Sequence, residues 1–453
     1  MKLAILGGAG MRTVNFVNGL LERTGPPNIE EIALYDIDAQ KQEVIRTLAC
    51  YVAQKKGSAI TITAAQDVRS ALEGAQVVVA ALRVGGDHSR AVDEAIALKH
   101  GVIGQETTGV GGFFMAARTI GPLRYYMQQI ERYAPHATVF NFTNPSGLLA
   151  QALYDCGYRQ VLGICDAPSS VCSRMADALH TERDKLDVRF AGLNHLSWIT
   201  SVRLQGRELL PELLMNSDFL QTVPEFSVFD ADAFAMSGFL PNEYLYYYYH
   251  REQALAHMRT ARLPRGRMIE QINREMLEKL YSMQIEADPE AALQVFLYYL
   301  WKRELSYMTA ETGRLPSVPQ AGKLTIPSGM GYAAVMLDCL AAMESETPAH
   351  IVLNVPNQGT LPFLKDTDIA ELSCSVSRSG IYPLEARPMG QHCTALITTV
   401  KEYERAAVQA LLSGSKQLAI KALCLHPLVM SFSLAKGLID DYISSYPDSV
   451  TLR

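Results

Sequence analysis

The chain has 453 residues, 48% of them hydrophobic and 19% charged, with a formal net charge of −6. That length exceeds one ordinary core and implies two lobes, while the composition is that of a folded chain and the charge argues against nucleic acid as a partner. No apolar run nears the roughly 18 residues of a membrane span, MKLAILGGAG lacks the regions of a signal peptide, and eight cysteines without a CxxC pair argue against a disulfide framework, so the expectation is a cytoplasmic protein.

Lys2–Leu6 reads as a strand, and Gly7-Gly8-Ala9-Gly10 as the turn into a helix carrying Val14, Val17, Leu20 and Leu21. Further strands are expected at Ile32–Tyr35, Ile60–Thr63, Val77–Leu82, Thr138–Phe142 and Gln160–Cys165, with helices at Lys41–Lys56, Asp67–Leu72 and over a long stretch before Thr138. Apolar strands alternating with helices predict a Rossmann-like doubly wound parallel sheet over residues 1–168. The remainder, 169–453, predicts a larger α+β domain. It holds a hairpin (Ser201–Leu204 and Arg207–Leu210 around Gln205-Gly206) and long helices near Arg267–Tyr281 and Thr399–Lys421.

The order strand, glycine turn, helix, strand and terminal acid is what NAD requires. Gly7, Gly8 and Gly10 let backbone N–H groups meet a pyrophosphate, and Asp36 accepts from the ribose hydroxyls. The competing reading is a tight turn with no ligand. Ligands in open α/β sheets lie at the carboxyl ends of the strands, and four loops there carry polar groups. These are Arg83-Val84-Gly85-Gly86 with Arg90 beyond it, GQETTGVGG (104–112), Asn141 to Pro145 with Asn144, and Cys165-Asp166. A thiolate at Cys165 and an imidazole at His195 suit a divalent transition metal with positions left open for substrate. The plain alternatives are a buried inert thiol, a hydrogen-bonded core histidine and, for Tyr244–Tyr249, aromatic packing. A redox cofactor beside an open metal implies chemistry on a hydroxyl-bearing carbon.

GQETTGVGG, NFTNPSG (141–147), GICDAP (163–168), GLNHLSW (192–198) and LPNEYLYYYY (240–249), in this order and spacing, resemble glycoside hydrolase family 4. Its members are NAD- and metal-dependent glycosidases, many acting on 6-phosphoglycosides. Most glycosidases work with two carboxylates, and this family is an exception. The resemblance implies Cys165 and His195 as ligands of Mn²⁺ or another divalent metal, Tyr244 as base and Asp166 as aid to the leaving group. It also implies that Asn144 contacts substrate and cofactor and that Arg90 and Arg265 lie near the sugar, with Arg262 and Arg267 as alternatives to Arg265. The implied reaction is a redox elimination. NAD⁺ takes a hydride from C3, Tyr244 removes the C2 proton made acidic by the metal-polarised ketone, the aglycone leaves, water adds and the hydride returns.

The family's phosphoglycosidases commonly begin GGGS followed by an aromatic residue, Thr and Pro; Gly-Gly-Ala-Gly-Met11-Arg12-Thr13-Val14 here lacks that serine, while Arg12 adds a cation suited to a phosphate. Arg83 is expected among the substrate-binding residues. Asp166 is familiar in 6-phospho-α-glucosidases, yet an arginine in the glycine turn, Cys-Asp-x-Pro and NEYLYYYY together resemble the 6-phospho-β-glucosidase branch. The expectation is therefore hydrolysis of 6-phospho-β-glucosides. The alternatives are an α-enzyme, a family member acting on an unphosphorylated glycoside or uronide, an NAD-dependent hydroxy-acid dehydrogenase, and a non-enzymatic sensor. The resemblance also implies a homodimer or homotetramer, with Tyr246–Tyr249 as a candidate interface patch.

Overall fold

The computed structural model describes residues 1–315, 318–319, 322–326, 332–447 and 452–453. Six parallel strands build the N-terminal half: β1 (Lys2–Leu6), β2 (Glu31–Tyr35), β3 (Thr61–Ala64), β4 (Ala75–Ala80), β5 (Thr138–Asn141) and β6 (Val161–Gly163). They lie in the order β3-β2-β1-β4-β5-β6, the Rossmann arrangement. Leu3, Ala4 and Leu6 are fully buried, as are Val77, Val78 and Val79 to within 1%. Strands this apolar need both faces covered. The cover comes from helices α1 (Thr13–Glu22), α2 (Ala39–Lys55), α3 (Val68–Leu72), α4 (Gly86–Lys99), α5 (Val110–Tyr133) and α6 (Ser146–Asp155).

Beyond β6, α7 (Ala167–Ala178) leads into antiparallel strands β7 (Leu186–Leu193), β8 (Leu196–Leu204), β9 (Arg207–Glu208), β10 (Leu240–Pro241), β11 (Ala349–Pro356), β12 (Ile369–Ser377) and β13 (Gly380–Pro383). They extend the same sheet, because β11 pairs with β6 through Asn354 and Gly163. The Rossmann half and the α+β half thus share one sheet of thirteen strands among the described residues.

Three local expectations are corrected. The single helix over Thr399–Lys421 is two, Gln391–Ser413 and Lys416–Leu425, because Ser415 caps the second by accepting from the Leu418 N–H. The strand expected at Arg207–Leu210 is only β9, since Leu210 opens a helical turn with Pro211 in its first positions. The tyrosine run is not an exposed patch: Tyr246 and Tyr247 are buried, Tyr248 and Tyr249 half-buried, and Phe229 packs on Tyr246 and Tyr249. All eight cysteines are free, and no described helix is long and apolar enough to cross a membrane.

Candidate active site

The glycine turn follows β1 directly. Gly7 and Gly8 donate to the Tyr35 carbonyl, and a Cβ on Gly7 would lie 2.4 Å from the Ala81 carbonyl oxygen. Only glycine fits there. Asp36, at the end of β2, accepts from the Ala9 N–H at 3.0 Å, so its carboxylate sits against the turn. No side chain caps the N-terminus of α1, and its first turn holds no acid. A close-approaching backbone, an uncapped helix end and an adjacent acid fit the pyrophosphate and ribose of a dinucleotide.

Cys165 and His195 arrive from opposite halves of the sheet and meet. Cys165 precedes α7, and His195 lies in the two-residue turn between β7 and β8 with φ at 63°, a left-handed conformation in which histidine is over-represented. The hairpin approaches itself closely. Gly192 has φ at 149°, and a Cβ there would lie 2.4 Å from the Leu196 carbonyl oxygen. The Cys165 Sγ lies 3.5 Å from His195 Nε2, and both residues are buried. Burial pushes the Cys165 thiol well above its ordinary pKa, with Glu371 and Asp166 adding to the rise, while the same desolvation lowers His195 to about 3. A desolvated sulfur beside an unprotonated imidazole nitrogen fits a divalent transition metal. No third His, Cys, Asp or Glu joins them among the described residues.

Tyr244 completes this group. Its ring stacks on the His195 imidazole with centroids 3.7 Å apart and planes within 3°. Burial raises its phenol well above the ordinary value, and Glu243 and Cys165 reinforce this. Asn242 caps the turn that presents it, accepting from the Tyr244 N–H at 3.0 Å.

The arginines form the rim. Arg83 and Arg90 each reach Glu106 at 3.0 Å. Burial works against the Glu106 carboxylate, but Arg90 and Arg83 outweigh it and hold the pKa far below the usual range. Arg265 is the inward member of RLPRGR. It is buried and donates to the Ser306 carbonyl and hydroxyl, while Arg262 and Arg267 are exposed. Arg12 pairs with Asp166 at 3.1 Å and lies 3.9 Å from Glu304. The Asp166 side chain therefore turns to Arg12 rather than capping α7. Asn144 lies half-buried just past β5.

Six residues that the sequence reading did not single out belong to this region. Glu106 and Thr107 lie inside GQETTGVGG, where the motif was visible but the individual roles were not. Glu243, next to Tyr244, is raised to about 8 by burial, with Glu225 adding to it, and it accepts from the Tyr307 hydroxyl at 3.5 Å. Glu371, on β12, accepts from Asn194 and Ser197 on either side of His195. Arg303 is pushed down to about 10 by burial and by Arg12 and Arg83. Arg303, Tyr307 and Glu371 stand in no recognisable motif; only the fold brings them here.

The family 4 glycosyl hydrolase model matches residues 2–181, and the model of that family's C-terminal domain matches residues 190–429. The chain belongs to glycosyl hydrolase family 4. Family 4 relatives align along its whole length. A probable 6-phospho-beta-glucosidase of Bacillus subtilis is 28% identical over 98% of this chain and 96% of its own. A 6-phospho-alpha-glucosidase of Leptotrichia buccalis is also 28% identical, over 99% of this chain and 98% of its own. A solved 6-phospho-beta glucosidase of Thermotoga maritima, with manganese, NAD⁺ and glucose-6-phosphate, superposes with a TM-score of 0.82 at 27% identity, covering all of both chains.

Proposed function

We propose that this family 4 enzyme hydrolyses 6-phospho-β-glucosides by redox elimination, using NAD and Mn²⁺ or another divalent metal. The observation that carries the reading is the contact group of thiol, imidazole and phenol, with Cys165 3.5 Å from His195 and Tyr244 stacked on the same ring. When bound, NAD supplies a reversible hydride acceptor for C3 and the metal a Lewis acid that acidifies the C2 proton. Cys165 and His195 hold the metal. Gly7, Gly8, Gly10 and Asp36 hold the dinucleotide, with Asn144 touching both cofactor and sugar. Tyr244 takes the C2 proton once the charge of the bound metal offsets the burial that raises its phenol; Asp166 assists departure of the aglycone, and Arg90 and Arg265 orient the sugar. Arg12, Arg83 and Arg303 converge as cations and hold the 6-phosphate. A full-length relative and a full-length structural neighbour named as 6-phospho-β-glucosidases support this reading. On it, residues 1–168 bind NAD, and residues 169–453 complete the metal and substrate site.

The 6-phospho-α-glucosidase reading is retained because Asp166 follows the metal cysteine and an α-enzyme is equally identical to this chain. The deciding experiment is release of p-nitrophenol from the α- and β-linked glucoside 6-phosphates with NAD⁺, Mn²⁺ and a reductant. Hydrolysis of the β-compound alone is expected. Hydrolysis of the α-compound reverses the anomer, and activity only on an unphosphorylated glycoside removes the phosphate role of Arg12. The enzyme is further proposed to act in the cytoplasm as a homodimer or homotetramer. Its eight free thiols suit a reducing compartment, and the family resemblance supports the assembly.

A further inference from the structure

The loop GQETTGVGG folds tightly on itself, with Gly111 and Gly112 closing on the Gln105 and Thr107 carbonyls, and its side-chain hydrogen bonds point to a further task. The Gln105 side-chain oxygen lies 2.6 Å from the Thr107 N–H, 2.6 Å from the Thr108 N–H and 2.9 Å from the Thr107 hydroxyl. Two backbone N–H donors can meet only the oxygen end of that amide, so its orientation is settled by its partners. An oxygen already facing two donors has only lone pairs to offer the hydroxyl, and Thr107 must therefore donate to it. That spends the one hydroxyl proton. Towards His195 Nδ1, 2.8 Å away, the Thr107 oxygen then has only acceptor capacity, and the Nδ1 atom must carry the imidazole proton.

From this chain of donors we propose that Gln105 and Thr107 are positioning residues that lock His195 in the Nδ1–H tautomer, turning the Nε2 lone pair toward Cys165. The inference rests on the proposed metal role of the Cys165–His195 pair but adds a device to it. Neutral imidazole binds a metal through whichever nitrogen lacks the proton, and the hydrogen bond made by the other nitrogen selects it. The usual partner for that second nitrogen is a carboxylate or a carbonyl. Here it is a hydroxyl whose direction is imposed from one step further back. The loop also bridges the molecule, since Thr107 belongs to the nucleotide half and His195 to the hairpin of the other. The lock thereby registers the two halves of the site against each other.

The test has two readouts. The first uses metal-free protein labelled with ¹⁵N in its histidine rings, with the His195 signals assigned by a His195→Gln variant. The wild type is expected to show the Nδ1–H tautomer, and a dominant Nε2–H tautomer would overturn the proposal without any variant being needed. The second is Mn²⁺ affinity, measured by titration calorimetry or by the loss of the free-ion resonance signal. Thr107→Val, which keeps the shape and removes the acceptor, should weaken Mn²⁺ binding by about 10- to 100-fold, the usual consequence of deleting a metal ligand's hydrogen-bond partner. Thr107→Ser should restore it. Gln105→Leu frees the hydroxyl to rotate and should give a mixture of tautomers. Equal affinity in wild type and Thr107→Val overturns the lock while leaving the metal site intact. A wild type that binds neither Mn²⁺ nor any other divalent transition metal overturns the lock and the proposed function together.

Discussion

A guanidinium held among other guanidiniums gains from any anion placed between them. Arg303, pulled down by burial and by Arg12 and Arg83, is the residue here whose loss should be read most selectively in substrate binding. Replacing Arg303 by Ala should raise KM for a 6-phosphoglucoside by about ten- to a hundred-fold, the worth of one charge-assisted hydrogen bond. The unphosphorylated analogue should be little affected; parallel steady-state kinetics on the two substrates check this. Glu371 carries a different signature. Burial holds its carboxyl protonated up to about 7, against an ordinary 4.5. Between those two values the folded protein binds more protons than the unfolded chain, so stability falls as pH rises through that window. Glu371→Gln should flatten that fall, as followed by denaturant unfolding from pH 4.5 to 7. Neither residue is legible in the sequence. Cys165, His195 and Tyr244 were, because each sits in a compact motif, whereas Arg303 occupies an ordinary helix and Glu371 a strand some 175 positions from the turn it supports.

The β7–β8 hairpin is the element on which the site depends, because its two-residue turn carries His195. Gly192 lets the strands close up, and Gly192→Ala would drive a methyl group against the Leu196 carbonyl in a backbone region that alanine avoids. The expected cost is about 1–3 kcal/mol, visible as a lowered denaturation midpoint with unchanged slope. Elements of this kind show why the sequence could be read only in part. The parallel strands announce themselves as apolar runs of four to six residues between helices, so β1, β2, β3 and β5 were readable to within one residue at each end and β4 to within two. The break after Ser413 rests on Gly414, left-handed with φ at 69°, and on the capping Ser415; periodicity alone does not register these stop and start signals. In the second half the strands come in clusters separated by helical stretches, and which strand pairs with which is decided by long-range packing that no local pattern encodes.

At the scale of the whole molecule, the pairing of β6 with β11 joins two sequence regions into a single sheet. Gln151, on α6, accepts from the Ile369 N–H at 2.7 Å and faces the fully buried Lys401, which reinforces the seam. The halves should therefore unfold together. Scanning calorimetry is expected to give one cooperative transition whose midpoint rises with NAD concentration, and two resolved transitions would contradict the shared core. The same sheet constrains how copies of the chain associate. Its outermost strands among those described, β3, β9, β10 and β13, run to four residues at most. Such stubs offer few unpaired backbone groups, a recognised safeguard against edge-to-edge aggregation. Any association between copies is thereby steered toward helix faces, and crowding the protein at high concentration should yield discrete assemblies rather than fibres.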